Sequence, residues 1–147
     1  MNRIILLFAA VMAFSGCAAI SGPIPGYGID LHKDSKITLV YLGARDCHFC
    51  NQWEENEQQK FLLSEEFKHI VFLRIVRNTF HRNLQIEDLP DDFKWIYESV
   101  KMDNSTPTFV VLVDKAVVLK TAGSNNWDKR VMPLLTDIIE KKSAMHD

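Results

Sequence analysis

Behind an apolar N-terminal stretch, dense apolar runs alternate with amphipathic segments along the chain. KITLVYLGA, residues 36–44, is β-branched and apolar without alternation, the pattern of a strand covered on both faces. The polar-rich segment from His48 to Lys60 predicts a helix, because Phe49, Cys50, Trp53 and then Phe61 fall on or near one face. LLSEEFK, 62–68, predicts a helix tail or a second short helical turn, and HIVFLRIV, 69–76, the next buried strand. RNTFHRNLQIEDLP, 77–90, is charged and without period and predicts a loop insertion. DDFKWIYESVKM, 91–102, predicts a helix capped by Asp91 or Asp92, with Phe93, Ile96, Tyr97 and Val100 at i, i+3, i+4 and i+7. DNSTP, 103–107, is a turn, and TFVVLVD and AVVLKTAG flank Lys115 as a hairpin. Trp127, Val131, Leu134, Leu135, Ile138 and Ile139 stripe a final helix. Pro133 removes a backbone donor there, so that helix is either kinked or regular only from Pro133 onward. The order β-α-β-α-β-β-α predicts a layered α/β domain.

The first 16 residues stand outside this pattern. Arg3 is the one cation of a short leader, and Ile4 to Phe14 is an uncharged run of 11 residues, a signal-peptide core rather than a comfortable membrane span. Ser15, Gly16 and Cys17 follow. This resembles a bacterial lipoprotein signal, whose cleavage leaves a lipidated cysteine as the mature N-terminus; Phe14 departs from the leucine usual at the first position of that motif. An ordinary cleaved signal with an incidental cysteine is the alternative. The lipoprotein reading implies a signal peptide at 1–16, lipid on Cys17, a Gly/Pro-bearing tether over 17–35 and a domain over 36–147, with the 77–90 loop inserted in it. It places the chain in the cell envelope, facing the periplasm, and Ala18 after Cys17 favours the outer membrane over the inner.

Charge adds an exclusion. With 17 basic and 19 acidic residues and a formal net charge of −2, there is no basic excess for nucleic acid. Of three cysteines, the lipid takes Cys17 and leaves Cys47 and Cys50, both in ARDCHFCNQW. Such a pair is a metal clamp, a staple or a redox couple. As a staple it closes too small a loop to stabilise much. As a metal clamp it is half of a zinc site or a soft Cu(I) site, and His32, His48, His69, His81 and His146 form no second paired motif to complete it. As a redox couple it sits well, at a strand-to-helix junction. There the helix N-terminus favours a thiolate on Cys47 as nucleophile, and Cys50, one turn on, can resolve a mixed disulfide. His48 beside Cys47 would tune that thiolate if protonated, or do little if it only faces solvent. Trp53 reads as core, and Glu54, Glu55 and Glu57 as a solvated face.

A C-x-x-C after a buried strand, followed downstream by Thr106-Pro107-Thr108 before an apolar strand and by Gly123 after the next, resembles the thioredoxin-like superfamily. The match spans roughly residues 36–142. It implies a central mixed sheet flanked by helices, a cis Pro107 facing the cysteines, and Thr106 offering backbone hydrogen bonds to a substrate chain. It also implies a thiol–disulfide oxidoreductase activity; no phosphate loop and no flavin or nicotinamide fingerprint is apparent in the residues, so no cofactor or metal is expected, a Cu or Zn carrier module being the alternative. The run CHFCNQWEENEQQKFLLSEEFKHIVFLRI further resembles a periplasmic branch, that of the transmembrane thiol:disulfide interchange protein and related thioredoxin-like reductases. That branch implies exported-protein disulfides as substrates and a membrane-embedded electron donor as partner; the same site run in reverse is an oxidase. One departure stands out. Thioredoxins keep a buried aspartate six residues before the first cysteine, and here that position is Tyr41. Glu54, Glu55 or water is left to take the proton of Cys50, or the role is unfilled.

Overall fold

A computed structural model describes residues 28–101 and 105–145. The segment expected as a signal peptide, Cys17 and His146 lie outside the described residues. Four strands, β1 (Ile37–Ala44), β2 (Val71–Arg77), β3 (Thr108–Val113) and β4 (Ala116–Ala122), form one sheet in the order β2-β1-β3-β4. β1 runs parallel to β2 and antiparallel to β3, which runs antiparallel to β4. Every residue of β1 and of β3 is buried, which is why both read as unbroken apolar runs rather than as alternating strands. The β3–β4 hairpin turns on Asp114 and Lys115, both at positive φ (49° and 78°), as a two-residue turn between twisted strands requires. Asp114 then accepts hydrogen bonds from the Ser35 hydroxyl and the Lys36 amide, which ties the chain entering β1 to the hairpin.

Side chains alternate between two cores. On one face Leu39, Tyr41, Phe109 and Val111 pack against Trp53, Phe61, Trp127, Leu135 and Ile138 of the helical segments. On the other, Val40, Leu42, Leu73, Ile75, Val110 and Leu112 meet Leu84, Leu89, Ile96 and Val100. The helix after β1 comprises α1 (His48–Trp53), a π turn (Glu54–Gln58) and α2 (Gln59–Leu62), followed by a short 3-10 turn at Glu66–His69. The mixed sheet between helical layers, in this strand order, is a thioredoxin-like α/β fold.

One expectation is corrected, a second is resolved between its two alternatives, and one segment makes more contacts than its sequence suggested. The segment 91–102 is a 3-10 helix (Asp91–Ile96) that passes into the short α3 (Tyr97–Val100), and Pro90, with no side-chain cap from either aspartate, stands at its start. The spacing of Phe93 and Ile96 serves a 3-10 helix as well as an α-helix, because residues three apart eclipse in it. The last helix takes the second of its two expected forms: a π turn (Trp127–Val131) precedes it, and the regular α4 (Met132–Ser143) begins next to Pro133, which lies in its first turn. Finally, the end of the segment expected as a tether packs onto the domain. Leu31 is buried in the first core, and the Ser35 carbonyl accepts from Lys142 Nζ at 2.6 Å.

Candidate dithiol site

β1 ends at Ala44, and the next residues turn the chain into α1. Cys47 is the N-cap of that helix. Its carbonyl accepts from the Cys50 and Asn51 amides (both 3.1 Å), and its Sγ accepts from the Cys50 amide at 3.2 Å. The Cys47 and Cys50 sulfurs are bonded to each other, with the Cα atoms 5.2 Å apart. Cys50 is fully buried and Cys47 is 6% exposed. His48 and Phe49, the residues between them, both face solvent. Phe49 is 58% exposed, and the His48 ring meets it edge-on at 5.6 Å.

The proline loop lies at the same end of the sheet. Leu42 of β1 pairs with Thr108 of β3, so Pro107 extends level with Gly43, just before the cysteine turn. The Thr106–Pro107 bond is cis, as the resemblance implied, and Pro107 is buried with Thr106 half-buried. The Pro107 carbonyl accepts from the Gly123 amide at 2.8 Å. Gly123 sits at φ +96°, a conformation that favours glycine.

Tyr41 fills the place where the aspartate would stand, and Gly43 makes room for it. A Cβ on Gly43 would lie 2.6 Å from the Tyr41 hydroxyl. The Tyr41 ring stacks on Trp53 at 4.5 Å, and its hydroxyl donates to Glu54 Oε1 at 2.8 Å. Glu54 Oε2 takes Arg74 Nη2 at 2.5 Å. Burial first, and the bond to Glu54 second, push the Tyr41 hydroxyl far above the ordinary tyrosine range, against the pull of Arg74. It is therefore a donor, not a base, at any working pH. Glu54 is one helical turn beyond Cys50, and its amide donates to the Cys50 and Asn51 carbonyls. With Arg45, Asn51, Arg74 and Val76 it lines an open cleft of about 500 Å³. The acidic face is thus not simply solvated: Glu54 is committed to Tyr41 and Arg74, and Glu57 pairs with Lys60 at 3.0 Å. Glu55 is exposed. Trp53 is core, as its spacing indicated.

The loop after β2 also reaches the cysteines. Phe80 packs against a small cluster of Ala44, Cys47 and Cys50. Asp46 holds it there, and neither contact was legible in the sequence, where 77–90 carried no period. Among the described residues no three His, Cys, Asp or Glu side chains converge as a metal site, and no helix is long and apolar enough to cross a membrane.

No family model and no curated protein matches the chain. Solved structures do. The periplasmic thioredoxin SoxS from Paracoccus pantotrophus, in its reduced form, is 16% identical with a TM-score of 0.46, over 72% of this chain and 98% of that one. Thioredoxin f from spinach chloroplast (short form) is 17% identical with a TM-score of 0.47, over 72% and 79%. Fasciola hepatica thioredoxin is 19% identical with a TM-score of 0.44, over 69% and 80%. The fold assignment rests on the strand order, the cysteine junction and the proline loop described above.

Proposed function

We propose that this chain is an envelope thiol–disulfide oxidoreductase, tethered to a membrane through Cys17, that reduces disulfides of exported proteins. The observation that carries the reading is the Cys47–Cys50 pair, bonded at the N-cap of α1 and level with the cis-Pro107 loop. In the reduced protein the free amides of the first helical turn stabilise a Cys47 thiolate. That thiolate attacks one sulfur of a substrate disulfide. The substrate S–S bond breaks, a Cys47–substrate disulfide forms, and the departing thiolate takes a proton from water. Cys50 then gives up its proton and attacks the Cys47 sulfur. The mixed disulfide breaks, the second substrate thiolate leaves, and the pair ends oxidised, two electrons having passed to the substrate. The proton of Cys50 passes to Glu54, one helical turn beyond it, or to water. Because the pair finishes as a disulfide, each cycle needs two electrons from a membrane-embedded donor. The leader Ile4–Phe14 with Cys17, and the resemblance of residues 47–75 to the periplasmic branch, support the compartment and the reductive direction.

Cys50→Ala in the full chain tests this. Mixed disulfides between Cys47 and envelope proteins should accumulate and dissolve with reductant; none, with Cys47 still a free thiol, would sink the exchange mechanism. The reduction potential sets the direction. A value near about −270 mV fits a reductase, and one near about −120 mV an oxidase. Cys17→Ala should release the protein from the membrane fraction.

A further inference from the structure

The segment 77–90 reads as a loop insertion, yet it is held at both ends by bonds that fix one residue beside the cysteines. Asp46, the neighbour of Cys47, accepts the Phe80 amide on Oδ1 at 2.9 Å and the Thr79 hydroxyl on Oδ2 at 2.6 Å. Thr79 Oγ1 in turn accepts the His81 amide at 3.2 Å. At the loop's root the Arg77 carbonyl accepts the Arg45 amide, and the buried Arg77 guanidinium donates to the Arg82 carbonyl. Arg82 pairs with Asp88 at 2.6 Å, and Leu84 and Leu89 anchor the far side in the second core. The outcome is a Phe80 ring packed against the cluster of Ala44, Cys47 and Cys50, with the His81 ring 4.0 Å from it. Cys47 keeps little open surface, and exposed Phe49 stands between the two cysteines in the motif itself. A substrate sulfur approaching Cys47 therefore meets aromatic surface and the negative charge of Asp46.

We propose that Phe80 is a specificity-determining residue of the dithiol site, with Asp46 and Thr79 as its positioning residues, and that it selects extended peptide disulfides carrying apolar side chains beside the cysteine over small anionic disulfides. This deepens the oxidoreductase reading and rests on it. A peptide with apolar neighbours gains contact with Phe80 and Phe49 as its sulfur reaches Cys47. Glutathione disulfide brings carboxylates towards Asp46 and offers those rings little.

The test is the ratio of second-order rate constants of the reduced protein with two probes: glutathione disulfide, and a cyclic peptide disulfide with Leu and Phe next to its cysteines. The wild type should favour the peptide. In Phe80→Ala that ratio should fall roughly tenfold or more, the scale of one apolar contact in a recognition site, while Phe80→Leu keeps most of it. Thr79→Val, which loosens the loop without altering charge, should move the ratio in the same direction, and Thr79→Ser, which keeps the hydroxyl, should restore it. An unchanged ratio in Phe80→Ala, with both probes still reduced, overturns the role given to Phe80 and leaves the oxidoreductase reading intact. Failure of the wild type to reduce either probe overturns both.

Discussion

Against one face of the sheet, Tyr41, Trp53, Phe61, Phe109 and Trp127 interlock, with ring centroids 4.5 to 5.6 Å apart in most neighbouring pairs. Against the other, the filling is aliphatic, from Val40, Leu42, Leu73 and Ile75 to Leu84 and Leu89. The dithiol sits where the two faces meet at the end of β1, and each face delivers one of its walls. The helix bearing the cysteines is fixed by the large buried rings that Trp53 packs among. The loop bearing Phe80 is anchored at its far side by two leucines and the Arg82–Asp88 pair, and Phe80 itself is placed by hydrogen bonds from its own amide and Thr79 to the exposed Asp46 carboxylate. The position of the helix is thus set by volume, and that of Phe80 within its loop by polar contacts that chemistry can undo.

The largest expected effect therefore lies on the aromatic face. Trp53→Ala removes the ring that touches Tyr41, Phe109 and Trp127 and should cost about 3–5 kcal/mol in urea unfolding. Leu89→Ala should cost about 2–3 kcal/mol, towards the low end for a buried leucine, because a loop can settle into the space. A larger loss for Leu89 than for Trp53 would break the contrast. Next comes Gly43→Ala, whose Cβ would meet a Tyr41 hydroxyl that stacking on Trp53 keeps from moving freely. It should cost about 1–3 kcal/mol and slow the resolving step by displacing Tyr41 from Glu54; equal stability and equal kinetics would show that the ring yields. Smaller again, Tyr41→Phe keeps the packing and deletes the bond to Glu54, for a loss of about 1 kcal/mol. Its stability profile should also differ at alkaline pH. The native Tyr41 hydroxyl titrates above the unfolded value, so its contribution is full below about pH 10 and fades as the pH rises beyond that. The Phe variant lacks this loss.

The same contrast decides what the sequence could tell. β1, the hairpin and the cysteine junction were legible because each follows from local pattern: unbroken apolar runs for strands buried on both faces, and paired thiols at a helix start. Tyr41 at the place of an aspartate was visible as an anomaly. Its resolution was not, because the partner residue Glu54 and the counter-charge on Arg74 meet only once β2 lies beside β1. Phe80 was silent for a different reason. A loop has no period to betray which side chain turns inward, and the hydrogen bonds that choose Phe80 come from Asp46, 34 positions earlier in the chain. The 3-10 course of Asp91–Ile96 was hidden because its apolar spacing serves either helix.

The smallest and most local prediction concerns the carboxylate that holds the loop. The Thr79 hydroxyl first, and the Phe80 amide with it, hold the Asp46 carboxyl below the usual carboxylate range. A depressed folded value means the bonding is complete above the unfolded carboxylate value of about 3.9 and is lost as the pH falls through the lower folded one. At any pH near neutral the loop is thus held, and only acid should release it. NMR of the Phe80 amide reads this directly. Its proton resonance should stay constant from neutral pH down to about 4 and then move upfield with a midpoint below 3.9, while resonances of the aromatic core stay still over the same range. In Asp46→Asn the Phe80 amide should not titrate at all. If it titrates at the ordinary carboxylate midpoint, or moves together with Trp53, Asp46 does not place Phe80 independently of the core and the two walls of the site are one unit.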